Sequence, residues 1–361
     1  MSHQQTPHYQ IVCKELVFPP TSESVQVVQA PKNLLSEPLA KNHVRIKILY
    51  GCLNYADALQ CGGKYQEKMN APFIPGKELA GIVCDVNGKG DRFKVGDCVI
   101  MLAEKDGWQS FIDLPLLYPA IIKVPKSVDL KKAASLLVAY STSHVALTHP
   151  RHGALTQHDG KSKRSTVLVL GASGGVGLAA VQIAKSLGAI VIAACSSDEK
   201  CKICTEKGQA DFVVNYSSNK KDWFKQVLEF TKGKGCDIIY DPVGGDLALQ
   251  SLKCIAWGGS LIVIGFASSI QQIPANILLV KNVRATGCYW GSYMKHEPQV
   301  IQQSMATLFE MLVKKQIDPY VSECYPIESV AKAMNDMLER KTVGRVLLSF
   351  PQQENIRPSK L

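Results

Sequence analysis

The chain is 361 residues long, with 46% hydrophobic and 20% charged residues and a formal net charge of +10. That length suits two domains with a sizeable core, and no apolar run is long enough to span a bilayer. The cations are spread out and form no stripe with interleaved aromatics, which argues against nucleic acid; a solvated surface and an anionic ligand account for the charge as well.

The opening stretch, MSHQQTPHYQ, has neither an apolar signal core nor an Arg, so neither a secretory signal nor a mitochondrial presequence is expected there. Twelve cysteines without a repeating spacing read as small buried hydrophobes. Residues 1–134 read as a β-rich domain. Val44-Arg-Ile-Lys-Ile-Leu49 alternates with period two, and glycine turns fall at Gly62-Gly63, at Asn87 to Gly90 and at Lys94 to Asp97. Residues 135–290 read as an α/β domain. Before its first strand lies Pro150 to Arg164, a polar, basic stretch with His149, His152 and His158 nearby. These spacings match no standard zinc pattern, so a solvated loop is expected.

From Thr166 onward strands alternate with helices. A strand over Val167–Leu170 is followed by a helix over Val176–Leu187, closed by Gly188, and a strand over Ile190–Ala194. Next come a helix near Asp198–Lys207, a strand over Phe212–Val214 and a helix near Lys221–Thr231. Asp237–Tyr240, a helix near Leu247–Ile255, Ser260–Ile264 and the last strand Val283–Gly287 complete the pattern. This alternation predicts a doubly wound parallel sheet. Residues 291–361 carry two further helical patterns and a closing strand, Arg345–Ser349, and are expected to return to the first domain.

The stretch Thr166 to Gly177, TVLVLGASGGVG, organises the rest. Ala172, Gly174 and Gly177 fill the three slots of a G-x-G-x-x-G fingerprint, between a strand and a helix. Ser173, Gly175 and Val176 lie between them. Such a turn lets the backbone approach a pyrophosphate and aims a helix N-terminus at it, so the segment reads as a dinucleotide site. An NAD site places an acidic residue at the end of the second strand. Here that strand runs into Cys195-Ser196-Ser197, with Lys200 close behind. Ser196 and Lys200 suit a 2′-phosphate, while Asp198 and Glu199 suit the first turn of the following helix, so NADPH is favoured over NADH.

The sequence resembles the zinc-independent quinone oxidoreductase (zeta-crystallin-like) branch of the medium-chain dehydrogenases/reductases. The resemblance runs from about Val44 to Phe350. Its markers are Asn54-Tyr-Ala-Asp57, Pro75-Gly-Lys-Glu-Leu-Ala-Gly81, Val95-Gly-Asp97, the GASGGVG turn, Asn215-Tyr216, Asp241-Pro-Val-Gly-Gly245 and Gly344-Arg-Val346. It implies a Rossmann cofactor domain beside a β-rich, GroES-like catalytic domain. The loop 150–164 looks longer than usual for the family, and His144 stands where the family has Tyr. Asn54 and Lys77 occupy the places of the Cys and His that bind zinc in the alcohol dehydrogenases, and the four-cysteine lobe of a structural zinc is missing. No metal is therefore expected. Cys201-x-x-Cys204, a lone pair in a helical stretch, reads as helix packing.

The resemblance implies that Asn54 and Tyr55 lie beside the nicotinamide. Asn54 would hold the ribose or the substrate oxygen. Tyr55 would orient or protonate that oxygen; solvent as the proton source and Tyr55 as a packing residue are the alternatives. Asp57 reads as a helix cap. Thr142 would lie near the carboxamide, with Ser196, Lys200 and Tyr216 around the 2′-phosphate and Phe266 lining the site; Lys200 as a plain surface residue is the alternative. Without a metal, the chemistry suits a substrate that spreads the charge it gains: a quinone, or a conjugated enone or enal. A non-catalytic NADPH-binding protein is the other class. In relatives, edges such as Val283–Gly287 pair across a homodimer. Ser359-Lys360-Leu361 matches a peroxisomal import tripeptide, which implies an import receptor as partner; a cytoplasmic location is the alternative.

Overall fold

A computed structural model describes residues 7–158, 160 and 163–351; Ser359, Lys360 and Leu361 lie outside the described residues. The chain divides into two compact units, one of Met1–Leu137 and Val321–Leu361, the other of Val138–Tyr320. The return to the first unit therefore falls at Val321, not at 291. The helices that follow residue 289 stay with the second unit because their polar groups are bonded into it. Trp290 Nε1 donates to the buried Ser141 hydroxyl at 2.9 Å, and the Ser304 hydroxyl meets the same group at 3.1 Å.

In the first unit, β1 (Tyr9–Cys13) and β2 (Val25–Gln29) form an antiparallel pair. The main sheet uses β3 (His43–Leu53), β4 (Glu78–Asn87), β5 (Cys98–Leu102), β6 (Phe111–Pro115) and β7 (Ile121–Lys123). Helices α1 (Tyr55–Cys61) and α2 (Leu130–Ala134) interrupt or follow them. The period-two alternation near Val44 extends into an eleven-residue strand, β3, that pairs with both β4 and β6. Ile46, Ile48, Leu79, Met101 and Trp108 form its core.

In the second unit, α3 (Ser141–Thr148) precedes six strands. These are β8 (Thr166–Leu170), β9 (Ile190–Cys195), β10 (Phe212–Asn215), β11 (Cys236–Asp241), β12 (Ile255–Val263) and β13 (Arg284–Gly287). The helices between and after them are α4 (Gly175–Ser186), α5 (Asp198–Glu206), α6 (Trp223–Phe230), α7 (Gly245–Ser251), α8 (Ala275–Lys281), α9 (Trp290–His296) and α10 (Pro298–Val313). All five strand pairings are parallel, in the order β10-β9-β8-β11-β12-β13. The order reverses between β8 and β11, so the ligand crevice belongs at the carboxyl ends of those two strands. All five residues of β8 are buried, as a central parallel strand requires. β12 starts at Ile255, ahead of the expected Ser260, because the expected helix ends early, at Ser251.

The first unit is completed by β14 (Val321–Pro326), α11 (Val330–Leu338) and β15 (Arg345–Ser349). β15 inserts between β14 and β3, where Val346 and Leu348 join the core. The loop at 150–164 differs from expectation. His152 and Leu155 are buried. His152 Nδ1 and Nε2 bond the Thr286 hydroxyl at 3.0 Å and the Tyr293 hydroxyl at 2.8 Å, and the Arg284 guanidinium donates to the His152 carbonyl at 2.6 Å. A polar composition misled here because histidine and a backbone carbonyl can be buried once they are hydrogen-bonded. No described helix is long and apolar enough to cross a membrane.

Candidate active site

In the first unit, β3 ends at Leu53, and Asn54 is the N-cap residue of α1. Asp57, in the first turn, accepts the Asn54 backbone N–H at 2.8 Å and is buried, which fits the capping role expected of it. Burial pushes the Asp57 carboxyl up to about 7, with the Glu78 charge adding to the shift and the Asn54 hydrogen bond, Arg345 and Lys77 opposing it.

Both ends of the Asn54 amide are engaged. Its Nδ2 donates to Glu78 Oε2 at 3.0 Å, and Arg345 Nη1 donates to its Oδ1 at 3.0 Å. Arg345 Nη2 and Glu78 Oε2, 2.6 Å apart, form an ion pair whose side chains are 5% and 1% exposed. Burial alone would lower the arginine; the Glu78 charge and nearby acidic groups outweigh it and raise it. Asn54 is thus the bridge of a buried charge pair. Tyr55 is the first residue of α1 and is partly exposed. Lys77 Nζ reaches Glu67 Oε2 at 3.4 Å. A bridging amide and a paired ammonium make a poor zinc donor set. Among the described residues, no group of three or more His, Cys, Asp or Glu is placed to hold a metal ion.

The sequence reading missed Glu78 and Arg345, although both lie inside quoted markers. The available signal was a charge placed within an otherwise apolar strand pattern, Glu78-Leu-Ala and Arg345-Val-Leu-Leu, since buried charges need partners.

In the second unit, Gly171 leaves β8 with φ of 56°, and Gly174 is the N-cap residue of α4. A Cβ on Gly177 would lie 2.3 Å from the Gly171 carbonyl oxygen, so the helix can start against the strand only with glycine there. Ala172 and Ser173 are buried; Gly174, Gly175 and Val176 are partly exposed at the helix start. The first turn of α4 carries no acidic residue, so its free N–H groups and positive dipole end meet no competing carboxylate. On α3, Thr142 is buried beside Ser143. The Ser143 hydroxyl bonds the Val176 carbonyl at 2.8 Å and the Tyr240 hydroxyl at 2.9 Å, which ties α3 to this turn.

The tip of β9 gathers three expected residues. Lys200 Nζ donates to the Ser196 hydroxyl at 3.4 Å, and the Tyr216 backbone N–H donates to the Cys195 carbonyl at 2.9 Å. Ser197 caps α5 by accepting the Lys200 backbone N–H. Asp198 and Glu199 occupy the first turn of α5, and Asp198 accepts the Asn215 amide at 2.8 Å. Phe266 follows β12 and is 41% exposed. Its loop is latched to the end of β11: Gln271 Nε2 donates to Asp241 Oδ2 at 2.6 Å, and Asp241 also accepts the Val243 and Gly244 N–H groups.

Residues 40–110 match the model of the alcohol dehydrogenase GroES-like domain, and residues 175–310 match that described as zinc-binding dehydrogenase. Together they define a two-domain dehydrogenase of the medium-chain class. The chain is 37% identical over 345 residues to a quinone oxidoreductase-like protein 2 homolog of Nematostella vectensis, covering 95% of this chain and 89% of that one. It is 36% identical over 352 residues to quinone oxidoreductase-like protein 2 of Rattus norvegicus, covering 96% and 93%. A solved quinone oxidoreductase of Pseudomonas syringae superposes with a TM-score of 0.78 at 30% identity, covering 95% of this chain and 99% of that one. A mycobacterial protein solved in complex with NADPH gives 0.79 at 27%, with the same coverage. The chain belongs to the quinone oxidoreductase family of the medium-chain dehydrogenases/reductases.

Proposed function

We propose that this chain is an NADPH-dependent oxidoreductase that delivers hydride to a quinone. The observation that carries the reading is the tip of β9, where a hydroxyl and an ammonium converge and the nearby Asp198 carboxylate is taken up by Asn215. A 2′-phosphate finds a cation and hydrogen-bond donors there. The mycobacterial relative solved with NADPH adds support.

NADPH supplies the hydride when bound. The start of α4 receives its pyrophosphate, Ser196, Lys200 and Tyr216 its 2′-phosphate, and Thr142 and Phe266 its nicotinamide half. Asn54, fixed by Glu78 and Arg345, offers an amide N–H to an oxygen that gains charge. Tyr55 orients that oxygen and gives it a proton. A quinone spreads the new charge over its ring, so one or two aligned donors stabilise it without a Lewis acid.

The test is NADPH consumption, followed by nicotinamide absorbance, with a simple para-quinone in one sample and a medium-chain enone in another. Faster turnover of the quinone is expected. A preference for the enone would move the reaction to conjugated double bonds, and binding of NADPH with turnover of neither would refute the enzyme reading. We also propose a homodimer formed through β13. Among the described residues this strand pairs only with β12, and Leu279 and Val280 on the preceding α8 are 77% and 71% exposed. Light scattering of the parent and of Leu279→Lys checks it, with a dimer for the first and a monomer for the second expected; a monomeric parent would refute it.

A further inference from the structure

We propose that Cys195, Cys201 and Cys204 form an oxidisable thiol group, and that a disulfide between Cys195 and Cys204 weakens NADPH binding by deforming the tip of β9. This rests on the reading of Ser196 and Lys200 as the 2′-phosphate site.

Cys195 is the last residue of β9, directly before Ser196. Cys201 and Cys204 lie on α5, and Cys201 directly follows Lys200. The sulfurs of Cys195 and Cys204 are 3.4 Å apart, and the Cys201 thiol also bonds Cys195. All three are buried. The group therefore bridges strand and helix beside the short connection Ser196-Ser197 and the first turn of α5, which carries Lys200. A disulfide holds its sulfurs at about 2.0 Å, so the observed pair would have to close by roughly 1.4 Å. Closure draws α5 against β9. The hydroxyl of Ser196, on the connection, and the ammonium of Lys200, on the first turn of α5, then lose their common aim.

The oxidant is a hydroperoxide. The Cys195 sulfur attacks one peroxide oxygen, the O–O bond breaks, and the sulfur becomes a sulfenic acid. The other oxygen leaves with the thiol proton as water or an alcohol. The Cys204 sulfur then attacks the sulfenic sulfur, the S–O bond breaks, and the hydroxyl leaves as water with the Cys204 proton. The two cysteines give up two electrons between them, and the peroxide takes both. The Cys201 hydrogen bond favours the Cys195 thiolate, but Cys204 and burial outweigh it and hold this thiol protonated at neutral pH. The reaction thus waits on an opening of the first turn of α5 and answers sustained oxidant rather than traces. NADPH bound across that turn slows it.

The experiment uses the full chain, reduced and desalted, then exposed to hydrogen peroxide with and without NADPH. Peptide mapping reports the disulfide, and fluorescence titration gives the Kd of NADPH and of NADH before oxidation, after it, and after dithiothreitol. Expected are a Cys195–Cys204 disulfide that forms more slowly with NADPH present, a rise in the NADPH Kd of about tenfold or more, an unchanged NADH Kd, and reversal by dithiothreitol. Cys204→Ser should bind NADPH as the parent does, and Cys201→Ser/Cys204→Ser should form no disulfide at Cys195 and keep its NADPH Kd after peroxide. No disulfide, a disulfide between other cysteines such as Cys13 and Cys61, or an unchanged NADPH Kd after oxidation overturns the proposal. Lys200→Ala separates the two readings. If its reduced form binds NADPH as tightly as the parent, the 2′-phosphate site has been misplaced. If it binds weakly while the oxidised parent binds normally, the thiol proposal alone has failed.

Discussion

Replacing Asp57 by Asn should stabilise the protein above neutral pH and flatten its stability profile below it. The folded carboxyl titrates at about 7 against a reference of 3.8. Its folded value is raised, so the native state holds the proton between those limits and the unfolded chain does not. Stability is then full below about pH 4 and is lost as pH rises towards 7. At 1.36 kcal/mol per unit, a shift of about three units is ~4 kcal/mol. The groups facing the carboxyl are the Asn54 N–H, Glu78, Arg345 and Lys77. Asn keeps an oxygen for the Asn54 N–H but adds an amide N–H₂ that needs a partner, at about 1–3 kcal/mol. The net gain at about pH 8 is then of the order of 1–3 kcal/mol, with little or no gain at about pH 5. Urea unfolding of the cofactor-free protein at both values measures it. Parallel profiles for parent and variant, or a variant less stable at the higher pH, would refute the assignment of a buried carboxyl whose desolvation outweighs its hydrogen bond and nearby cations.

Gly177→Ala places a methyl group against the Gly171 carbonyl, so NADPH affinity should fall about tenfold or more and stability by ~1–3 kcal/mol; calorimetric binding and thermal unfolding check both. Burial, helped by the nearby His149 and Arg151 charges, holds His152 down at about 4, so the parent should lose stability as pH falls from about 6.5 towards 4. His152→Gln should remove part of that slope; an unchanged slope in acid unfolding would show that the imidazole is not the group responsible. Import through Ser359, Lys360 and Leu361 is checked by imaging an amino-terminally tagged chain. Punctate peroxisomal fluorescence that becomes diffuse when the three residues are removed is expected, and diffuse fluorescence of both forms speaks against it.

The parallel sheet was legible because its central strands, β8, β9 and β11, are buried almost throughout and read as apolar runs, each followed by a helical pattern. The glycine turn was legible from its motif, and Ser196 and Lys200 from the end of the second strand, while Tyr216 rested on the family resemblance; β9 and β10 are neighbours in the sheet, which brings Tyr216 to the Cys195 carbonyl. The Glu78–Arg345 pair was not legible, because it joins strands far apart in the chain and no local period records such a partner. His152 was missed for a related reason: Thr286 and Tyr293, which satisfy it, come from a distant strand and helix. The boundary at Val321 depended on buried hydroxyls, Ser141 and Ser304, that look like surface residues in a helical pattern.

The place of β15 bears on how the chain is made. Arg345 and Asn54 are 291 positions apart, yet they share a hydrogen bond. During translation every strand of the second unit emerges before β15 does, while the Tyr50–Leu53 end of β3 waits with one edge open and Glu78 without its cation. The first unit is therefore the late one to close on the ribosome, and its apolar β3 edge is the surface a chaperone would have to shelter. A message cut short before Arg345 would yield a nucleotide-binding unit able to complete its own sheet, attached to one that could not.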